Sequence, residues 1–269
     1  MSESFLERLK EAMRKNQTAL CVGLDLDRKL MPRHFHDDFD QAEAFLSAIV
    51  EVTRNFACCY KINTAYYEVH GAMGWHLLDR IRALIPRELP VVLDAKRGDV
   101  GHTAELYARA LFDTHRADAV TVNPMMGSDT LAPFLAHRDR GVFVLCATSN
   151  PGADEFLLGT GLYRKIAATW SEWAAINPNT GLVAGATRPS LLAEIRALAP
   201  GAPILLPGVG AQGGDARASL EAAASPTGPV IVAASRSVLY ASRGEDFATA
   251  ARKEAQLLKE LTAPYVPSS

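Results

Sequence analysis

Short apolar runs alternate with longer amphipathic stretches along the whole chain, and this alternation constrains the fold more than any other feature. Strand candidates are TALCVGLDL (18–26), ACCYKIN (57–63), LPVVLDAK (89–96), ADAVTVNP (117–124), GVFVLCAT (141–148), TGLVAGA (180–186), PILLPGVG (203–210) and PVIVAAS (229–235). Each is rich in Val, Leu, Ile or Ala, and several are nearly continuous in apolar character. Such runs are expected of parallel strands covered by helices. Helical patterns occupy 39–55, 71–85, 99–114, 127–137, 161–176, 189–198, 213–223 and 244–261. Eight strand–helix units in 269 residues predict an α/β fold, a closed (β/α)8 TIM barrel, with residues 1–269 as one domain. The segment MSESFLERLKEAMRKN adds a helix before the first strand. A doubly wound open sheet is the alternative, and it usually carries G-x-G-x-x-G after its first strand. Here that strand ends in GLDLDRK.

Charge narrows the partners. Lys and Arg number 28 against 30 Asp and Glu, a net charge of −2. That excludes a globally basic nucleic-acid binder, so any anion site must be local. No apolar run reaches the roughly 20 residues of a membrane span. The N-terminal segment, with Glu3, Glu7 and Glu11, lacks the apolar core of a signal peptide. The expectation is a cytoplasmic protein without membrane or nucleic-acid partners. Cys21, Cys58, Cys59 and Cys146 all sit in strand-like runs without a Cys-x-x-Cys spacing, and read as buried free thiols. His34-x-His36 has no third ligand beside it, so no metal site is expected there. Trp170 and Trp173 read as packing, His102 as a helix-surface residue, and Arg80, Arg82 and Arg87 as a solvated helix face.

In barrels of this kind the active site lies at the C-terminal ends of the strands. Asp25 ends the first strand, Lys61 and Asn63 the second, Asp94 and Lys96 the third, Asn123 the fourth, and Thr148 and Ser149 the fifth. Asp94 and Lys96 are two apart and therefore face the same side of their strand. Burying charges without partners costs several kcal/mol. A Lys–Asp–Lys cluster at a barrel mouth is therefore either mutually paired or functional. Asp99 and Thr103 follow on the start of the next helix; four apart, they share a helical face. A second group suits an anion. PGVGAQGGD (207–215) is glycine-rich and leads into a helix, so its backbone N–H groups can approach an anion, with Gln212 as a further donor. Arg236 follows the eighth strand and can offer a bidentate fork. Barrels often bind phosphate between their seventh and eighth loops.

Together GLD, YKIN, LDAKRGD, SNPGAD, PGVGAQGGD and VAASR resemble the orotidine 5′-phosphate decarboxylase family, in its longer bacterial subgroup with the DAKRGD motif. The resemblance runs in order from Asp25 to Arg236. It implies a homodimeric barrel that converts orotidine 5′-monophosphate to UMP and CO2 in pyrimidine biosynthesis, with no metal or organic cofactor. It implies that Lys96, Asp94, Lys61 and Asp99 are catalytic. It implies that Asp25 hydrogen-bonds the ribose, that Ser149 contacts the pyrimidine, and that Gln212 and Arg236 hold the phosphate under a loop opened by Pro207. Asn63, Thr103 and Asn123 complete the expected substrate-binding set. Asp99 and Thr103 are expected to enter the partner subunit's site. Ile62 and Met125 depart from the family pattern, though neither change removes a charge. The rival readings are a metal-dependent sugar-phosphate decarboxylase or aldolase of the same barrel type, and a non-catalytic nucleotide-binding barrel.

Overall fold

The computed structural model describes residues 3–35, 39–186, 188–208 and 213–267. Among them, eight parallel strands close into a barrel in chain order. They are β1 (Leu20–Gly23), β2 (Cys59–Asn63), β3 (Val91–Arg97), β4 (Ala119–Val122), β5 (Gly141–Ala147), β6 (Thr180–Ala184), β7 (Ile204–Pro207) and β8 (Val230–Ala234). Closure is made by β1 pairing with β8, Leu20 opposite Val232. β1, β4, β6 and β8 are buried along their whole length, as the continuous apolar runs require. The (β/α)8 expectation and the additional N-terminal helix are both met.

That helix, Phe5–Asn16, starts at a capping box in which Ser4 and Glu7 satisfy each other's backbone N–H groups. Phe5, Leu9, Ala12 and Met13 form its buried stripe. Phe5 meets Phe143 of β5 edge to face at 5.8 Å. The helix thereby plugs the N-terminal end of the barrel. Beside it the buried Asp118 accepts Arg8 Nη1 at 2.6 Å and the Val91 N–H at 2.9 Å. Arg82 and Arg140 approach the same carboxylate at 3.6 and 3.7 Å. Arg82 therefore does not belong to the solvated face expected of it, because a carboxylate buried at the start of β4 draws in counter-charges.

Several elements are shorter than their patterns. The helix expected over 99–114 begins at Gly101, so Asp99 precedes it and the shared helical face with Thr103 does not form. Its last turn, Ala110–Thr114, widens into a π-helix. The 127–137 pattern breaks into Ser128–Leu131 and Ala132–Leu135, the second with proline in its first turn, where the missing N–H costs nothing. Two four-residue helices, Ala65–Glu68 and Arg236–Leu239, were not expected, since one turn carries too little periodicity to read. The four cysteines are buried free thiols, and burial pushes Cys146 up to about 12. Trp170 and Trp173 donate their indole N–H groups to Thr180 O and Ser128 Oγ while packing, as expected of structural aromatics. His36 lies outside the described residues; His34 packs on Phe35 and Phe247.

Candidate active site

The C-terminal mouth of the barrel opens into a cavity of about 460 Å³. Its charged floor comes from three neighbouring strand ends. β2 carries Lys61 inward, and its ammonium lies 3.3 Å from Asp25 Oδ1 and 3.3 Å from Asp94 Oδ2. Lys96 Nζ donates to the other Asp94 oxygen at 2.6 Å. The result is a chain of alternating charge, Asp25–Lys61–Asp94–Lys96, running from β1 to β3. Lys61 and Asp94 are buried, Asp25 is half-buried, and the Lys96 side chain is 41% exposed to the cavity mouth.

Alternation is what lets these charges stay ionised in an apolar barrel. Burial on its own would pull the Lys61 ammonium down, but Asp25 and Asp94 together hold it above its ordinary value. Burial likewise works to raise Asp94. Lys61 and Lys96, with hydrogen bonds from Lys96 and Thr121, outweigh it and hold the carboxyl below the usual range.

Local structure places each member. Asp25 lies two residues beyond β1 in a turn held by two phenols: Tyr67 OH donates to Leu24 O at 2.7 Å and Tyr240 OH to Asp25 O at 3.0 Å. Tyr240 also accepts the Asp27 N–H at 2.6 Å. Asp25 Oδ1 accepts the Asn63 backbone N–H at 3.2 Å. The Asn63 side chain accepts from Ala65 N and so starts the short helix after β2. Lys96 has φ +46°, a left-handed backbone that is costly for a lysine, at a bulge in β3.

The opposite wall is built for close approach. A Cβ on Gly185 would lie 2.9 Å from Ser149 Cβ, so only glycine after β6 leaves Ser149 its place. A Cβ on Gly23 would lie 1.9 Å from Ser235 Oγ, which fixes glycine where β1 meets the β8 turn. Ser149, Pro207, Gly208, Ser235 and Arg236 line this side, and Arg236 is exposed at the rim.

The family model described as orotidine 5′-phosphate decarboxylase / HUMPS family matches residues 18–253. The chain belongs to that family. It is 48% identical over 263 residues to a protein of Roseiflexus castenholzii named orotidine 5′-phosphate decarboxylase, with 96% of each chain covered. It is 44% identical over 270 residues to a protein of that name from Dehalococcoides mccartyi, covering 97% of this chain and 98% of that one. The structure of Leishmania donovani OMP decarboxylase matches with a TM-score of 0.81 at 35% identity, over 96% of this chain and 98% of that chain.

In this orotidine 5′-phosphate decarboxylase / HUMPS barrel, most of the sequence-derived site residues converge. Asp25, Lys61, Asn63, Asp94, Lys96, Ser149, Pro207 and Arg236 all line one cavity. Asn123 does not reach its wall, because its side chain accepts the Met125 N–H at 3.1 Å and is spent on that turn. Asp99 accepts the Val100 N–H at 2.8 Å, and neither it nor the exposed Thr103 lines the cavity of its own chain. Gln212 lies outside the described residues. Sequence reasoning did not find Tyr66, Ser235 and Ser237, which also line the cavity, or Tyr240, which clamps the Asp25 turn. Ser235 and Ser237 flank Arg236 in VAASRSVLY and were legible there; Tyr240 meets Asp25 only through the closure of β1 on β8.

Proposed function

We infer that this chain is an orotidine 5′-phosphate decarboxylase that converts orotidine 5′-monophosphate to UMP and CO2 in pyrimidine biosynthesis. The observation that carries the reading is the Asp25–Lys61–Asp94–Lys96 array at the floor of a cavity whose far rim holds Arg236. The two ends of that cavity suit the two ends of a nucleoside monophosphate. Arg236 can take the phosphate as a bidentate fork, and Gln212 is proposed as a further donor to it. Asp25, beside Asn63, suits the ribose hydroxyls, and Ser149 the pyrimidine.

The chemical problem is a carbanion at C6 of the pyrimidine. The bond from C6 to its carboxylate breaks, the electron pair stays on C6, and CO2 departs. Lys96 stabilises that pair as an ammonium and then transfers a proton to C6; water reprotonates the amine. Asp94 holds the ammonium at 2.6 Å, and it opposes the substrate carboxylate by like charge until the negative charge passes to C6 and neutral CO2 departs. Lys61 keeps Asp94 ionised at this short range. The phosphate does not react, yet its binding contributes to kcat by closing the site and excluding water. No metal or organic cofactor enters this scheme. A divalent ion at Asp94 would meet two ammonium groups already within 3.3 Å.

We further propose a homodimer whose sites are shared, with Asp99 and Thr103 of one chain completing the array of the other. Supporting it, Val69, Met73, Val100, Leu106, Met125 and Met126 are exposed apolar residues on the segments after β2, β3 and β4. A surface of this kind suits a partner subunit. Among the described residues no helix is long and apolar enough to cross a membrane. Our reading places the enzyme in the cytoplasm as one barrel domain, with no nucleic-acid partner.

The test is the loss of substrate absorbance on adding purified protein in excess chelator, with Lys96→Ala alongside. Conversion by the wild type alone supports the reaction and the role of the lysine together. UMP binding without turnover indicates a non-catalytic barrel, and activity that returns only with a divalent ion indicates a metal-dependent relative.

A further inference from the structure

The bulge that carries Lys96 has an unusual filling. Leu93 of β3 pairs with Val120 of β4, and Arg97 pairs with Val122. Between those pairs β3 inserts Asp94, Ala95 and Lys96, whereas β4 has only Thr121. The ladder is broken there, and a broken ladder leaves backbone groups in want of partners. Thr121 supplies one from its side chain. Its Oγ1 accepts the Lys96 backbone N–H at 2.9 Å and donates its own proton to Asp94 Oδ1 at 2.8 Å. The side chain is fully buried, so water cannot replace either bond. The same Asp94 oxygen receives the Lys96 ammonium at 2.6 Å. One hydroxyl thus holds both ends of the Lys96–Asp94 pair: the left-handed backbone of the lysine and the carboxylate that anchors its tip.

We propose that Thr121 is a positioning residue, whose hydroxyl fixes Lys96 and Asp94 in the one mutual geometry from which the ammonium reaches the reacting carbon. The proposal rests on the decarboxylase reading for its kinetic consequence but not for its structural one. Thr121 is not among the residues that line the cavity, so it acts through Asp94 and Lys96. The charged groups facing Asp94 are Lys61 of β2 and Lys96 of its own strand, with Asp25 beyond Lys61. Thr121 is the neutral donor among them. Its bond joins the two lysines in holding the Asp94 carboxyl low against burial.

The experiment compares Thr121→Val, which keeps the shape and removes the hydroxyl, with Thr121→Ser, which keeps the hydroxyl. Four quantities are read on the full-length protein: kcat and KM for orotidine 5′-monophosphate, affinity for UMP, Tm, and the Asp94 carboxyl titration by 13C NMR, assigned with Asp94→Asn. The valine variant is expected to lose about 10- to 100-fold in kcat, the effect of one charge-assisted hydrogen bond. KM and UMP affinity should stay within about threefold, because phosphate and ribose contacts are untouched. The Asp94 titration should move up in the valine variant and return in the serine variant, together with kcat. Should Thr121→Val fail to accumulate, Thr121→Ala gives the same comparison. Wild-type kcat in the valine variant overturns the proposal. So does a lowered Tm with kcat unchanged, or a serine variant as impaired as the valine one. If the wild type itself does not turn over the substrate, the decarboxylase reading fails. The Asp94 titration then still decides whether Thr121 controls that carboxylate.

Discussion

Lys61 is the charge on which the array depends, and Lys61→Met tests that dependence. The side chain is 5% exposed, and its ammonium lies between Asp25 and Asp94, 3.3 Å from each. At an effective dielectric of about 20, each contact is worth about 5 kcal/mol of Coulomb attraction. Removing the lysine also recovers the several kcal/mol spent in desolvating its ammonium. Asp94 keeps Lys96 and Thr121, and Asp25 keeps the Asn63 N–H. The net loss of stability is therefore about 3–5 kcal/mol near pH 7, as for other buried pairs that lose one partner. In a chain of this size that lowers Tm by roughly 10 °C.

The pH dependence is more diagnostic than the loss itself. In the wild type, Lys61 is held above its ordinary value, so its contribution is complete below about 10.4 and fades only as pH rises through the higher folded value. Asp94 is held below its ordinary value, so its contribution is present above about 3.9 and fades as pH falls through the lower folded value. Between pH 5 and 8 both contributions are flat. In Lys61→Met, Asp94 stays buried but loses the ammonium beside its Oδ2 and keeps only Lys96 and Thr121. Burial then outweighs what is left and raises its folded value above that of the unfolded chain. A raised carboxyl stabilises the fold as pH falls, so the gap to the wild type should narrow by about 1 kcal/mol between pH 7 and pH 5. Thermal unfolding followed by circular dichroism at several pH values measures it. A gap under about 1 kcal/mol at pH 7, or one that stays constant down to pH 5, refutes the electrostatic account.

Other expectations follow from single contacts. Arg236→Ala should lower kcat/KM by about 10²- to 10³-fold with Tm unchanged, since the side chain is exposed and we propose that it holds the phosphate; unchanged kcat/KM removes Arg236 from the phosphate site. Lys96→Ala and Asp99→Ala, each inactive alone, should regain partial activity when mixed, because one interface of a mixed dimer holds an intact site. Subunit exchange proved by mass, without recovered turnover, would count against shared sites. Asp118→Asn at the opposite end of the barrel should cost on the order of 2–3 kcal/mol while leaving KM unaltered, since it loosens Arg8, Arg82 and Arg140 from the N-terminal plug. A KM shift there would mean that the two ends are coupled.

The architecture was legible in the chain alone, because apolar periodicity reports directly which face of each segment must be buried. Strand order needed no further information once eight units were counted, since short right-handed crossovers leave little choice. The chain alone also placed three charges at the mouth. Lys61, Asp94 and Lys96 stand at strand ends, and a strand end in a barrel is a place at its mouth. How those charges are made tolerable emerges only from contacts between strands. The alternation Asp25–Lys61–Asp94–Lys96 depends on the register of three strands, and register is a contact between segments far apart in sequence. Thr121 and Tyr240 were silent for the same reason: a hydroxyl in an apolar run acquires a role only when closure brings a carboxylate or a turn against it. Asp99 shows the converse. Its spacing from Thr103 suggested one helical face, but the helix starts at Gly101, after Asp99. The left-handed Lys96 was invisible too, because a bulge is imposed by the partner strand and leaves no periodic trace in the residues that form it.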